Sequence, residues 1–337
     1  MKLGLLLTGN GAGANVETAR AAERAGFNSV WTVDFQASNA LVQAAAIAAQ
    51  TSTIEIGTGI ANTFTRSPIV LGNGIIDVDQ ISNGRFRPGL GTGLQRMNEQ
   101  WYGVPFGKPV SRARELFALL RKLIAASGPG FAWSGESWQI DIPTYYRGTA
   151  LRQIPLLLAG VNRGMIAAAG EFADGLVGHP VHTRKWHREV SQPTLREAEA
   201  AANRPEGACP IFPHLIVSIN DDVELARLDA KSQIGFSFSV EHYHSILDLH
   251  GLREVGIACR RLLAKYDFAA MAKLIPDALV DEIAVACTPD EVPARLAQWV
   301  DIAEEAMLFP ASVAVPSERQ EETLHHLMHM ASYKVGS

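Results

Sequence analysis

Short apolar runs alternate with segments of helical period from one end of the chain to the other, the pattern left by parallel strands joined through crossover helices. The runs occupy residues 3–7, 29–34, 54–60, 86–91, 154–161, 175–179, 214–220 and 306–309. Helical stretches lie between them: 15–25 closed by Gly26, an alanine-rich one at 40–50, one running from Pro68 to the Asn83-Gly84 break, and one at 164–172. Leu116, Phe117, Leu119, Leu120, Leu123 and Ile124 form one apolar stripe at helical spacing. Residues 289–304 read as a helix with a full start signal, because Thr288 can cap it, Pro289 takes its first position and Glu291 completes a capping box.

Eight parallel strands with interleaved helices fit an α/β fold closed as a (β/α)8 TIM barrel, while seven or eight could also make an open doubly wound sheet. Two segments are expected to be insertions. Residues 127–153 hold Gly, Pro, Trp and Tyr without clear period and read as an insertion or short hairpin over one barrel end, and 221–283 is helical but too long for one crossover. The whole, 1–337, reads as a single domain, since 47% hydrophobic residues in this length can bury one large core. The 35 acidic and 30 basic residues leave a net charge of -5 and no basic block, which argues against nucleic acid as a partner. There is no leader-like pattern and no run of about 18 apolar residues, so a cytoplasmic protein without a membrane partner is expected. Three cysteines, Cys209, Cys259 and Cys287, without C-x-x-C spacing read as buried small apolar side chains.

Gly9-Asn10-Gly11-Ala12-Gly13-Ala14 follows the first strand and opens a helix, with Asp34 ending the second strand further on. One reading is a dinucleotide fingerprint, with Gly11 admitting a pyrophosphate and Asp34 holding ribose hydroxyls. The other is a glycine loop at a barrel mouth.

The stretch from Gly26 to Asp34, and Gly57-Thr58-Gly59-Ile60-Ala61-Asn62 running on to Arg66 and Pro68, resemble the luciferase-like superfamily of flavin and deazaflavin oxidoreductases. Ile81-Ser82-Asn83-Gly84-Arg85-Phe86, then Gly89-Leu90-Gly91-Thr92-Gly93, then Ile154-Pro155 through Ala159-Gly160 to Ala173-Asp174-Gly175 agree in order and spacing. The resemblance is strongest to the branch using the deazaflavin coenzyme F420, such as methylenetetrahydromethanopterin reductase, and FMN-dependent monooxygenases share the scaffold. It implies a bulge with a non-prolyl cis peptide at Gly59-Ile60 behind the flavin ring, Ala61 and Asn62 at the ring edge, and a small-molecule site at the strand C-termini. It further implies that Gly91, Thr92 and Gly93, with Ala159, Gly160, Val161, Asn162 and Arg163, cradle the cofactor phosphate, and that the protein is a homodimer. Arg66, Arg85, Asp77 and Asp79 are read as holding the barrel together.

The sequence departs from that branch where it commonly has a histidine and two glutamates, which are here Phe35, the Thr8-Gly9-Asn10 loop and Leu94. Phe35 and Leu94 imply an apolar substrate pocket. Proton transfer then falls to Asp34 and His179, which end strands two and six and so project to the C-terminal face. His325 with His329, and His242 with His244, lack the further ligands a metal site needs, so no metal is expected. The expected function is F420-dependent oxidoreduction of a small apolar organic molecule. Its alternatives are an FMN-dependent monooxygenase and a flavin-binding protein without activity.

Overall fold

The computed structural model describes residues 1–8, 11–145 and 152–330. The parallel strands are β1 (Lys2–Leu6), β2 (Ser29–Thr32), β3 (Glu55–Thr58), β4 (Ala61–Asn62), β5 (Phe86–Arg87) and β6 (Gly89–Gly91). After an antiparallel hairpin, β7 (Phe131–Ser134) and β8 (Gln139–Ile142), come β9 (Leu157–Ala159), β10 (Leu176–Val177), β11 (Ile211–Phe212), β12 (His214–Ile219), β13 (Ala284–Cys287) and β14 (Glu305–Pro310). Three strands are split into two pieces each. The break between β3 and β4 falls at Gly59-Ile60; those between β5 and β6 and between β11 and β12 fall at Pro88 and Pro213, which have no N–H to give to a ladder.

With the pieces joined, the pairing runs β14, β1, β2, β3/β4, β5/β6, β9, β10, β11/β12 and back to β14, which closes a ring of parallel strands. The open doubly wound alternative is therefore excluded. Helices Ala12–Ala25, Ala40–Ala48, Pro68–Ile81, Pro109–Ile124 and Arg163–Phe172 lie in the connections, and the outward residues of the strands (Leu5, Val30, Ile56, Phe86, Leu158, Leu176, Leu308) pack against them in the main core.

The inward residues form layers. Nearest the strand N-termini, buried Glu305 accepts from Arg87 at 2.8 Å, from Trp31 Nε1 at 3.2 Å and from Ser29 Oγ, so its charge is paired. Arg87 also lies 5.2 Å from the Trp31 ring and 5.4 Å from the Phe212 ring. Leu6, Trp31, Leu157, Val177, Phe212 and Met307 fill the middle. Gly57 makes room for the indole, since a Cβ there would lie 2.2 Å from it. The barrel is thus plugged below, and its free space is at the C-terminal mouth.

Several expectations need correction. Ala284–Cys287 is a further parallel strand, pairing with β12 beside the ring, in a place the apolar pattern did not mark. The helix expected over 289–304 is a 3-10 turn, Pro289–Glu291, followed by a short helix, Val292–Ala297. The Glu291 N–H is taken by the Thr288 carbonyl at 3.2 Å and the Thr288 hydroxyl by Asp290, so the capping box does not form. The β7–β8 hairpin packs through Phe131 on Leu119 and Leu123 of helix Pro109–Ile124, on the flank of the barrel and not over its end. Gly9-Asn10, residues 146–151 of the expected first insertion, and the segment 331–337 lie outside the described residues.

Residues 223–283 are a run of helices joined by short turns, from Val223–Phe238 to Asp277–Ile283, whose Ile234, Phe238, Tyr243, Ile246 and Leu247 form a second apolar cluster with Val181, Trp186 and Ile216. The three cysteines are buried and free, as expected. No helix among the described residues is long and apolar enough to cross a membrane.

Candidate active site

The Gly59-Ile60 peptide is cis, as expected at the strand-three bulge. Asp34 frames it from strand two. Its N–H donates to the Ile60 carbonyl at 2.9 Å, and its carboxylate accepts from the N–H groups of Asn62 at 2.8 Å and Ala40 at 2.7 Å. Both oxygens also accept from the Arg66 guanidinium, one at 2.9 Å. The pair is nearly buried, with side-chain exposures of 8% for Asp34 and 13% for Arg66, so every strong acceptor direction of the carboxylate is used inside the chain. Asp34, expected to carry protons, is a positioning residue for the bulge; it is equally unavailable to ribose hydroxyls, which removes the dinucleotide reading.

Arg66 plays the structural part expected of it, and so does Arg85, which gives hydrogen bonds to the carbonyls of Ala48, Thr51, Ile54 and Ser82. Asp79 is buried against Arg152 at 3.0 Å, and burial holds its carboxyl above the usual range.

Asn62 is also committed internally. Its side-chain oxygen accepts from Phe64 N–H at 2.8 Å and its amide donates to Asn98 at 3.2 Å; Asn98 in turn donates to the carbonyls of Thr92 and Leu94. This clasp ties the strand-three end to the Gly91-Thr92-Gly93 loop, where Gly93 has φ 62. Asn62 therefore shapes the loop from beneath with its oxygen and one amide N–H. Around the bulge, glycines let neighbouring elements close up: a Cβ on Gly91 would lie 2.6 Å from Ile60 Cδ1 and 3.1 Å from Ala159 Cβ, and one on Gly160 would meet Ile166 N at 2.9 Å. Strands four and five thus come to the bulge as bare main chain at these two positions.

Asn162 precedes helix Arg163–Phe172 but does not cap it. Its amide donates to the His242 carbonyl at 3.2 Å and meets His242 Nε2 at 3.0 Å, while its oxygen accepts from Ser245 at 2.8 Å. The side chain anchors the helical insertion, and the first-turn N–H groups of the helix have no side-chain cap. Arg163 is exposed at that terminus, where its guanidinium meets the Thr194 hydroxyl at 3.5 Å.

The two residues expected in one apolar pocket are placed in different surroundings. Leu94, with Val161 and Phe309, packs against the insertion cluster that includes Tyr243. Phe35 is 45% exposed and meets the half-exposed Trp101 edge-on, ring centroids 5.8 Å apart.

His179 stands at the end of strand six, half-buried, with its ring 4.5 Å from that of Tyr243. Its Nδ1 accepts from the Val181 N–H at 3.3 Å, which leaves the ring proton on Nε2. His182 Nδ1 accepts from the His179 N–H at 3.2 Å, and its Nε2 donates to the Val161 carbonyl at 3.0 Å, joining the ends of strands five and six. His214, missed in the sequence because it lies inside an apolar run, points into the same mouth and donates from Nδ1 to the Gly178 carbonyl at 2.8 Å. Burial depresses all three imidazoles, His182 and His214 down to about 4 and His179 well below its ordinary range, where neighbouring histidines push further the same way. They are neutral at pH 7.

His242 is used by Asn162, and His244 Nε2 meets the Phe238 carbonyl at 3.0 Å. The His325 and His329 rings lie 4.2 Å apart, tilted by 49°, on the helix Ser317–Met330. Among the described residues, no group of three or more His, Cys, Asp or Glu could hold a metal ion.

The luciferase-like monooxygenase family model matches residues 3–304. An uncharacterized protein of Mycobacterium tuberculosis is 31% identical over 83% of this chain and 84% of its own length. The 5,10-methylenetetrahydromethanopterin reductase of Archaeoglobus fulgidus is 26% identical over 82% of each chain. Among solved structures, the coenzyme F420-dependent tetrahydromethanopterin reductase of Methanopyrus kandleri superposes with a TM-score of 0.80 at 20% identity, covering 97% of both chains, a likeness in fold.

Proposed function

Because this chain belongs to the luciferase-like monooxygenase family, a flavin and deazaflavin oxidoreductase family, we propose that it is an F420-dependent oxidoreductase acting on a small apolar organic molecule through its barrel mouth. The observation that carries the reading is the bulge at Gly59-Ile60, framed by Asp34 and faced by the side-chain-free positions Gly91 and Gly160. A flat ring needs backbone at close range on one face, and these positions offer main chain without a side chain. When bound, the deazaflavin supplies two-electron hydride chemistry. The main chain of Gly91, Thr92 and Gly93 and the uncapped start of helix Arg163–Phe172 would hold its phosphate, with Arg163 adding charge.

The chain's own residues do the rest. His179 presents a neutral Nε2–H to the mouth, so it holds a substrate oxygen by donation and stabilises negative charge that develops there. A neutral donor of this kind polarises without itself ionising. Leu94, Val161, Phe309 and Tyr243 exclude water on the insertion side and favour an apolar substrate. The relatives named for F420 favour it over FMN. Titrating the purified apoprotein with F420 and with FMN, and following O2 uptake by each reduced complex, tests the reading. F420 binding at micromolar affinity without O2 uptake is expected. FMN binding with O2 uptake would make the protein a monooxygenase, and binding of either ring without turnover on any substrate tried would favour a carrier.

The protein is also proposed to be a homodimer through helices Ala40–Ala48 and Pro68–Ile81, which show valines to solvent on adjacent faces.

A further inference from the structure

The His214 side chain is 4% exposed, and while Nδ1 is committed to the Gly178 carbonyl, the buried Nε2 has no hydrogen-bond partner. With the ring proton on Nδ1, Nε2 carries a bare lone pair. An isolated buried acceptor is destabilising, and native folds pair nearly all such atoms. A Cβ on Gly59 would lie 2.8 Å from Nε2 and 3.2 Å from Cε1, so the unpaired edge of the imidazole abuts the inward face of the cis peptide. His179, whose backbone follows directly on Gly178, offers the opposite tautomer nearby: its Nε2 bears a proton and makes no hydrogen bond among the described residues. Strands six and seven thus bring one neutral donor and one neutral acceptor to the floor of the mouth.

We infer that His214 Nε2 is a ligand-binding atom, accepting a hydrogen bond from an N–H or O–H group on the buried edge of the ring that seats against Gly59-Ile60. The inference rests on the flavin-site reading above, and it adds a residue from strand seven to a site otherwise built from strands two to six. The ligand chemistry is a ring-edge donor. Flavin and deazaflavin rings share an imide N–H, whereas a phenolic hydroxyl belongs to the deazaflavin alone, so comparison of the two ligands tells which donor is used. The bare nitrogen also explains the glycine at 59, because a larger residue would push the imidazole out of line.

The test is the dissociation constant of F420 and of FMN, read by fluorescence, for the wild-type protein and for His214→Leu and His214→Gln. Glutamine can place its amide oxygen where Nε2 lies. His214→Leu is expected to weaken ring binding by about tenfold or more, and His214→Gln to stay within about threefold of wild type. A loss confined to F420 assigns the donor to the hydroxyl; an equal loss for both rings assigns it to the imide. In 15N-labelled protein, the His214 Nε2 resonance is expected to leave the range of a bare imidazole nitrogen when the ring is added, a change that a merely structural histidine would not show. If His214→Leu folds poorly, this resonance in the wild-type protein decides alone. Wild-type binding with an unmoved Nε2 resonance, or with equal affinity in a folded His214→Leu, overturns the inference while leaving the site reading intact. Failure of the wild-type protein to bind either ring overturns both.

Discussion

Asp34 shows how far residue type alone reaches. An aspartate at a strand C-terminus in a barrel belongs to the active-site face, and the sequence placed it there; what it could not show was that Arg66 and the N–H groups of Ala40 and Asn62 would use up its oxygens. Those partners come from residues up to 32 positions away and are set by tertiary packing. Asp34→Ala is therefore expected to destabilise the fold by about 3–5 kcal/mol, since it leaves the Arg66 charge buried without its partner. Chemical denaturation checks it, and a loss below about 1 kcal/mol would show that the pair does not frame the bulge. His179 differs because its Nε2–H remains available. His179→Phe keeps the aromatic contact with Tyr243 but removes the donor, so turnover should fall about 100-fold or more while ring affinity stays within about threefold. Unchanged turnover would remove His179 from the chemistry. The cis peptide was legible only through family resemblance, because nothing in the residues Gly-Ile dictates the isomer.

Among the elements, the long apolar strands and strongly periodic helices were readable, and the short or interrupted pieces were not. Ala284–Cys287 has four small residues beside a helix, too few to separate strand from helix by period, and it becomes a strand because β12 offers it an edge. The runs at 154–161 and 175–179 shrink to Leu157–Ala159 and Leu176–Val177, where the ladder alone sets the bounds. The strand-four loop was recognised as a glycine element, yet the Asn62–Asn98 clasp beneath it joins distant positions and left no local signal. The absence of a side chain at Gly91 lets Ile60 pack against strand four. Gly91→Ala meets no backbone obstacle of positive φ, but its methyl would lie 2.6 Å from Ile60 Cδ1 and force that side chain to shift. Ring affinity should fall about threefold to tenfold with the fold retained. Equal affinity for Gly91→Ala would mean that the ring does not use this side of the mouth.

At the scale of the whole molecule, two properties follow from what is buried and what is left uncovered. His182 and His214 are held neutral inside the barrel mouth, with pKa values pushed to about 4 from an ordinary 6.5. Since the unfolded chain binds these protons first, their neutral burial is at full effect above about pH 6.5, and stability is lost progressively as the pH falls from there to about 4. Each group contributes on the order of 3 kcal/mol across that window. Urea midpoints measured at pH 7.5, 5.5 and 4.5 should therefore fall in that order, and His214→Gln should flatten the slope; a midpoint constant down to pH 4.5 would contradict the neutral burial. The outer surface makes a separate demand. Helix Ala40–Ala48 has no charged residue, and Val42 on it and Val70 on the neighbouring helix Pro68–Ile81 are each 62% exposed. Leu41 seats over Gly74, where a Cβ would be only 3.0 Å from it, so the two helices lie close, and Ile81 at the end of the second is 49% exposed. Exposed apolar side chains of this kind are stabilised when a second copy covers them about a two-fold axis. Light scattering should give twice the 36.4 kDa chain mass, and the double substitution Val42→Glu with Val70→Glu should halve it without unfolding the barrel. A wild-type monomer at micromolar concentration, or a double variant that stays dimeric, would place the contact elsewhere or remove it.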